Sequence, residues 1–272
     1  MPRSPRRLLL ARLGALLVLI GVGVAGCAPA RFFVAANRST SRFVASPSDP
    51  RVFYEPGAAD MAREVAAAMP SAVAAVEARM LGPFVVPVRV YVCATVEGFT
   101  SYGASPRAGG FTLNGRVFIS PKPENTAERI PRLLAHELSH LHLGQRRGFV
   151  SFARFPVWFT EGLAVDVSGG AGAEGVTERD ARRAMASGQT FVPEVEASVW
   201  HRRGASAFGL GEHMFYRQAG MFVAYLRSAD PVRFSALLAA VEDGDDLEHA
   251  FKSAYGMGVD VAWQRFVAEA PP

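Results

Sequence analysis

Apolar and polar positions along this chain fall into three patterns, each with its own structural meaning. The first is an unbroken apolar run from Leu13 to Val24, preceded by arginines and followed by small residues and Cys27. The run is short for a membrane-spanning helix. A basic start, an apolar stretch and small residues together describe an export signal over 1–26 that takes no part in the fold. From Ala28 to about Asp49 the chain is polar and turn-prone with scattered aromatics, which predicts a tether over 27–50.

The second pattern is helical. In Asp60–Met80, Val65, Met69, Val73 and Val76 recur at helical intervals despite Pro70, predicting one or two helices. The period returns in RIPRLLAHELSHLHLG, with Pro131 suited to a first turn, Leu133, Leu134, Leu138 and Leu141 as apolar positions, and Gly144 as a stop. FPVWFTEGLAVDVSGG opens with Pro156 and ends at Gly169-Gly170. Farther on, Thr177 with Asp180 forms a capping pattern, Glu212–Leu226 reads as a long helix, Asp230-Pro231 starts another, and Leu247–Tyr255 and Val259–Ala268 add two more. The third pattern is extended. Val85–Val96 alternates as a strand does, and GGFTLNGRVFIS sets Asn114-Gly115 between two short apolar runs, a strong hairpin signal. Strands early and helices late predict an α+β fold: a mixed α/β N-terminal lobe over about 51–145, a helical C-terminal lobe over about 155–272, and a cleft between them where a ligand would bind. No internal repeat is visible.

The whole chain carries 29 basic and 25 acidic residues. The leader holds four of the arginines and no acid, so 25 of each remain after its removal. A balanced mature chain lacks the basic footprint of a nucleic-acid binder, and no nucleic-acid partner is expected. With Cys27 at the leader's end, Cys93 has no partner, and its apolar surroundings, VPVRVYVCATV, predict a buried structural thiol.

Candidate chemistry is concentrated in HELSH, His136 to His140. Residues i and i+4 of a helix share a face, so both imidazoles can reach one metal ion, with Glu137 beside it. Catalytic zinc sites have three protein ligands and one open position, and a carboxylate next to that position can take a proton from water. The next helical segment carries Glu161 on its first turns, among Trp158, Phe159, Leu163 and Val165. A carboxylate in such apolar company is costly unless paired or bound to metal, so Glu161 is the candidate third ligand; the alternative is an exposed glutamate on a surface helix.

HExxH followed about twenty residues later by Trp-x-x-Glu-Gly resembles the gluzincin zinc metallopeptidases, and WFTEGLA is similar to the peptidase-MA-like group related to thermolysin and aminopeptidase N. The resemblance spans about Val88–Phe266, with its specific part in His136–Asp166. It implies a zincin-like fold, one Zn2+ per chain held by His136, His140 and Glu161, Glu137 as general base, and a peptide or protein substrate. It also implies an acid that orients a ligand histidine; Asp166 is the candidate, against a surface charge at a helix end. In that family the strand before the HExxH helix is a sheet edge that pairs with substrate backbone. Val117, Phe118 and Ile119 are the candidates, equally readable as part of a plain hairpin. GEHMFYRQAGMFVAYL resembles the helix that supplies a tyrosine donor to the oxyanion, which points to Tyr216, with His213 on the same face as the alternative donor and a core tyrosine as the bland reading. His142 turns away from the ligand face and is expected in solvent, as are His201 and His249.

Gluzincin aminopeptidases carry a Gly-x-Met-Glu-Asn type motif on the edge strand, whose acid binds the substrate's amino terminus. GGFTLN has no acid, so an endopeptidase is expected. Val24-Ala25-Gly26-Cys27 resembles a bacterial lipobox, implying a lipoprotein acylated on Cys27, lipid-anchored in the cell envelope and facing the periplasm or exterior; Arg6-Arg7 hints at twin-arginine export. The rival from another class is a non-catalytic zinc-binding lipoprotein scaffold. Retention of Glu137 favours the enzyme.

Overall fold

The structure is a computed structural model that describes residues 34–197 and 202–269. The export signal, Cys27 and His201 lie outside the described residues. The N-terminal part contributes β1 (Val44–Ala45), β2 (Val52–Tyr54), α1 (Ala59–Arg79), β3 (Val90–Val92), α2 (Val96–Thr100), β4 (Gly110–Leu113) and β5 (Arg116–Ile119). These strands form one five-stranded mixed sheet in the order β1-β2-β3-β5-β4, with β2, β3 and β5 parallel and the two outer strands antiparallel to their neighbours.

Alternation of side chains divides two cores across this sheet. Val52, Val90, Val92, Val117 and Ile119 face α1 and the HELSH helix, and all five are fully buried. The intervening Tyr91 and Phe118 face the other way, where Phe43, Phe99 and Tyr102 close a second, aromatic core with stacked Tyr91–Phe118 and Tyr102–Phe118 pairs. Cys93 belongs to that second core and burial pushes its thiol up to about 12, consistent with an inert structural cysteine.

Several expectations change here. The tether over 27–50 is too long: Ala35, Ala36 and Phe43 are buried, and Val44–Ala45 is a strand of the sheet, because the aromatic core needs Phe43 to cover it. The strand expected over Val85–Val96 contracts to three residues. Pro87 has no N–H to give a ladder, and the backbone of Val86 is instead bonded in both directions by the Gln145 amide, at 3.0 Å each. Val117, Phe118 and Ile119 are not an edge, since β5 pairs with β3 on one side and β4 on the other. The Asn114-Gly115 turn, with φ of 48° and 73°, folds β4 to the outside, and among the described residues β4 is the unpaired edge on that side.

The helical part follows as α3 (Ile130–Arg147), α4 (Phe149–Phe152), α5 (Val157–Ser168), α6 (Glu178–Ala186), α7 (Glu212–Ala229), α8 (Pro231–Asp243), α9 (Leu247–Tyr255) and α10 (Val259–Glu269). α1 is one continuous helix, because Pro70 sits on its exposed side while Val65, Met69, Ala72 and Val76 stay packed. α3 runs past Gly144 and stops at Gly148, whose φ of 71° suits a cap. α5 and α7 touch backbone to backbone: a Cβ on Gly162 would lie 2.8 Å from the Ala219 carbonyl oxygen, and one on Gly220 would lie 2.3 Å from Val165 Cγ1. This crossing lowers the N-terminal half of α7 onto the start of α5. No described helix is long and apolar enough to cross a membrane.

His142 is not solvated. It lies in the core, 1% exposed, with Nε2 3.0 Å from the Gly82 carbonyl oxygen and Nδ1 3.5 Å from Glu242. Two residues beyond His140, it faces roughly 200° away, into the packing between α3 and α8. His249 is exposed, as expected.

Candidate metal centre

α3 and α5 bring His136, His140 and Glu161 together, with their ligand atoms all within 4.8 Å of one another. His136 Nε2 lies 3.3 Å from Glu161 Oε2 and 3.3 Å from His140 Nε2, and His140 Nε2 lies 3.6 Å from the same carboxylate oxygen. Bonds of about 2.0–2.2 Å in a tetrahedron separate neighbouring ligand atoms by about 3.3–3.6 Å. The triangle therefore has the size that a small divalent cation requires.

The tautomers point the same way. His136 Nδ1 lies 3.0 Å from the Ala171 carbonyl oxygen, an acceptor, so this nitrogen carries the proton and a neutral ring presents a lone pair at Nε2. That lone pair faces a carboxylate oxygen and a second imidazole nitrogen. Three acceptors converging in a largely buried place repel one another unless a proton or a cation sits among them. Burial works against a charged His136, yet the hydrogen bond and charge of Glu161 outweigh it and raise this histidine's pKa. For Glu161, burial is outweighed by the charge of His140 and hydrogen bonds from both histidines, which hold its carboxyl far below the usual carboxylate range. The donor set could bind a proton or a metal ion in the same place.

Ala171 belongs to the loop after α5. Its neighbour Gly172 has φ of 86°, and a Cβ there would lie 2.9 Å from the His136 ring and 3.1 Å from the Tyr216 ring. The loop is strapped to α7 by Arg217, which donates to Val176 O at 2.8 Å and Ala173 O at 3.2 Å. On the far side of the pair, the Phe152 ring meets His140 edge-on, with centroids 6.1 Å apart.

Glu137 is buried beneath the edge strand. Thr112 on β4 places its hydroxyl 2.7 Å from Glu137 Oε2 and 2.9 Å from the Glu137 carbonyl oxygen. β4 approaches so closely that a Cβ on Gly110 would lie 2.6 Å from Glu137 Cγ.

Of the two donor candidates on α7, Tyr216 is the one brought to the centre. The Glu161 carboxylate, then burial, pushes its phenol up, so it stays protonated; its hydroxyl makes a long 3.3 Å bond to Glu212. His213 lies more than half exposed, 3.7 Å from Glu174. Asp166 does not reach the histidines. Five residues after Glu161 it lies about 140° around α5, where it pairs with Arg79 at 3.2 Å and Arg227 at 2.8 Å and ties α1, α5 and α7 together. The Ala171 carbonyl takes the orienting role foreseen for it.

Three groups escaped the sequence reading: Thr112, the Ala171-Gly172 turn, and Arg202, whose guanidinium bonds Phe155 O at 3.2 Å and Thr160 Oγ1 at 3.3 Å beside Glu161. Gly-Gly at 169–170 marked the turn's start; nothing local marked the other two. No protein-family model and no curated protein matches the chain.

Proposed function

We propose that this protein is a zinc-dependent peptidase of the gluzincin kind with a zincin-like arrangement, in which His136, His140 and Glu161 hold the ion and Glu137 is the general base. The observation that carries this reading is the triangle of ligand atoms at 3.3, 3.3 and 3.6 Å with Glu137 adjoining it. Two imidazoles and one carboxylate match the ligand chemistry of catalytic zinc, which keeps its fourth position open. Zinc, when bound, supplies Lewis-acid stabilisation of developing negative charge and eases the deprotonation of water.

The chain's own residues do the rest. Glu137, steered by Thr112, takes the proton from the water that attacks a peptide carbonyl and passes it to the leaving amine. Tyr216, kept protonated by its neighbours, donates to the carbonyl oxygen as that oxygen becomes anionic. The outer edge of β4 offers backbone groups to an extended substrate, directly above the base. β4 holds no acid to receive an amino terminus, which favours an endopeptidase. The same proposal places the protein in a bacterial cell envelope, anchored by lipid on Cys27; a wild-type chain without a lipid mass at that residue would end that part.

The direct test is Glu137→Gln, which keeps size and polarity but cannot accept a proton. Zinc content and folding persist while hydrolysis of a diverse peptide mixture falls by roughly 100-fold or more. A variant as active as the parent would overturn the assignment of the base.

A further inference from the structure

From the geometry around Arg202 we infer that the centre selects substrates bearing a carboxylate close to the bond being cleaved, with Arg202 as the group that reads it. The inference rests on the metallopeptidase reading and names the chemical class of its substrate. Among the described residues, Arg202 is anchored by neutral acceptors only, the Phe155 carbonyl and the Thr160 hydroxyl, both through Nη2. These fix the guanidinium against the first turn of α5, one residue from the ligand Glu161. Glu161 and Tyr216 are the charged or ionisable neighbours that it feels. Among the described residues no carboxylate lies within ion-pair distance of it.

Arg116 and Arg217 also bond backbone carbonyls, whereas other arginines are ion-paired. Arg79 and Arg227 share Asp166, Arg146 pairs with Glu242, and Arg42 pairs with Glu55. The very next residue, Arg203, sits over the Phe208 ring at 4.3 Å and faces Glu194 at 3.8 Å. Arg202 is thus a pinned cation that feels the charge of Glu161 but forms no ion pair among the described residues. Its side chain reaches solvent, and its hydrogen bonds to described residues both use Nη2. An arginine fork held at one nitrogen presents a planar pair of donors that matches a carboxylate in two-point contact. A cation placed beside Tyr216 also lies where the carbonyl oxygen of a bound substrate would gain charge, so an anionic group nearby is drawn toward the reacting centre.

Two sources supply that chemistry, the C-terminal carboxylate of a short peptide and an acidic side chain, and the test separates them. Zinc-loaded protein is titrated by calorimetry with a malonyl-phenylalanine hydroxamate ending in a free carboxylate and with the same compound ending in a carboxamide. A second pair compares malonyl-aspartate amide hydroxamate with its asparagine counterpart. The hydroxamate provides the metal-directed anchor in all four, so only the carboxylate differs. The expected result is roughly 10-fold to 100-fold tighter binding of the acid in at least one pair, with the pair that shows it naming the source. Arg202→Gln abolishes that difference, and Arg202→Lys restores part of it. Equal affinities within both pairs for the wild type, or an acid preference that survives in Arg202→Gln, would overturn the inference. So would an equal loss for acid and amide in Arg202→Gln, which describes a residue that only supports the fold. Because binding is read without turnover, a protein that discriminates acids but cleaves no peptide would retain the Arg202 inference and reject the peptidase.

Discussion

Thr112 and Glu137, twenty-five residues apart in sequence, meet at 2.7 Å through a hydroxyl on the sheet edge and a carboxylate on the HELSH helix. The bond couples the edge strand proposed to pair with substrate to the proposed base. A hydrogen bond to a charged group contributes about 1.5–3 kcal/mol, so Thr112→Val is expected to lower kcat roughly 10-fold or more with zinc content unchanged, and Thr112→Ser to recover most of the loss. Steady-state kinetics beside elemental analysis checks it; an unaltered kcat would mean that Glu137 is positioned without Thr112.

One zinc ion per chain is expected, and its loss follows from removing either of two ligands on different helices. His140→Ala and Glu161→Ala should each bring zinc well below stoichiometric, as measured by elemental analysis of protein lacking the leader. Chelation should lower the melting temperature of the parent, since a ligand that binds only the folded state stabilises it. Full zinc in both variants would dismiss the centre.

Tyr216 and His213 make opposite predictions. Removing a donor to the oxyanion costs on the order of 100-fold to 1,000-fold in turnover with modest change in KM. That loss is expected for Tyr216→Phe, while His213→Ala, whose ring faces Glu174 rather than the centre, should stay within about threefold of the parent. The reverse pattern would move the role to His213.

Glu242 predicts a pH dependence away from the centre. Burial pushes its carboxyl up to about 7 from an ordinary 4.5, with Arg146 opposing. The folded chain then holds this proton more tightly than the unfolded one, so the stability it contributes is complete below pH 4.5 and is lost as pH rises through about 7. Glu242→Gln should match the parent in acid and exceed it by about 1–3 kcal/mol near pH 8. Denaturant melts at both pH values decide it; a variant less stable at the higher pH would show that the pair with Arg146 outweighs the burial.

What the sequence determined by itself is local. A four-residue spacing on one helix face brought His136 and His140 together, an apolar helix with one acid on its first turns identified Glu161 as their neighbour, and Asn114-Gly115 specified a hairpin, because each depends on the period of a single element or turn. Tertiary structure decided whatever depends on how elements lie against one another. The turn direction made β4 rather than β5 the edge, and so placed Thr112 over Glu137. Rotation about α5 sent Asp166 to Arg79 and Arg227, leaving the Ala171 carbonyl to orient His136. His142, two residues past a proposed ligand, was buried because α8 packs on that face of α3. Arg202 reached Thr160 across forty-two positions of chain, a distance at which sequence carries no periodic signal and only packing brings a charge to its place.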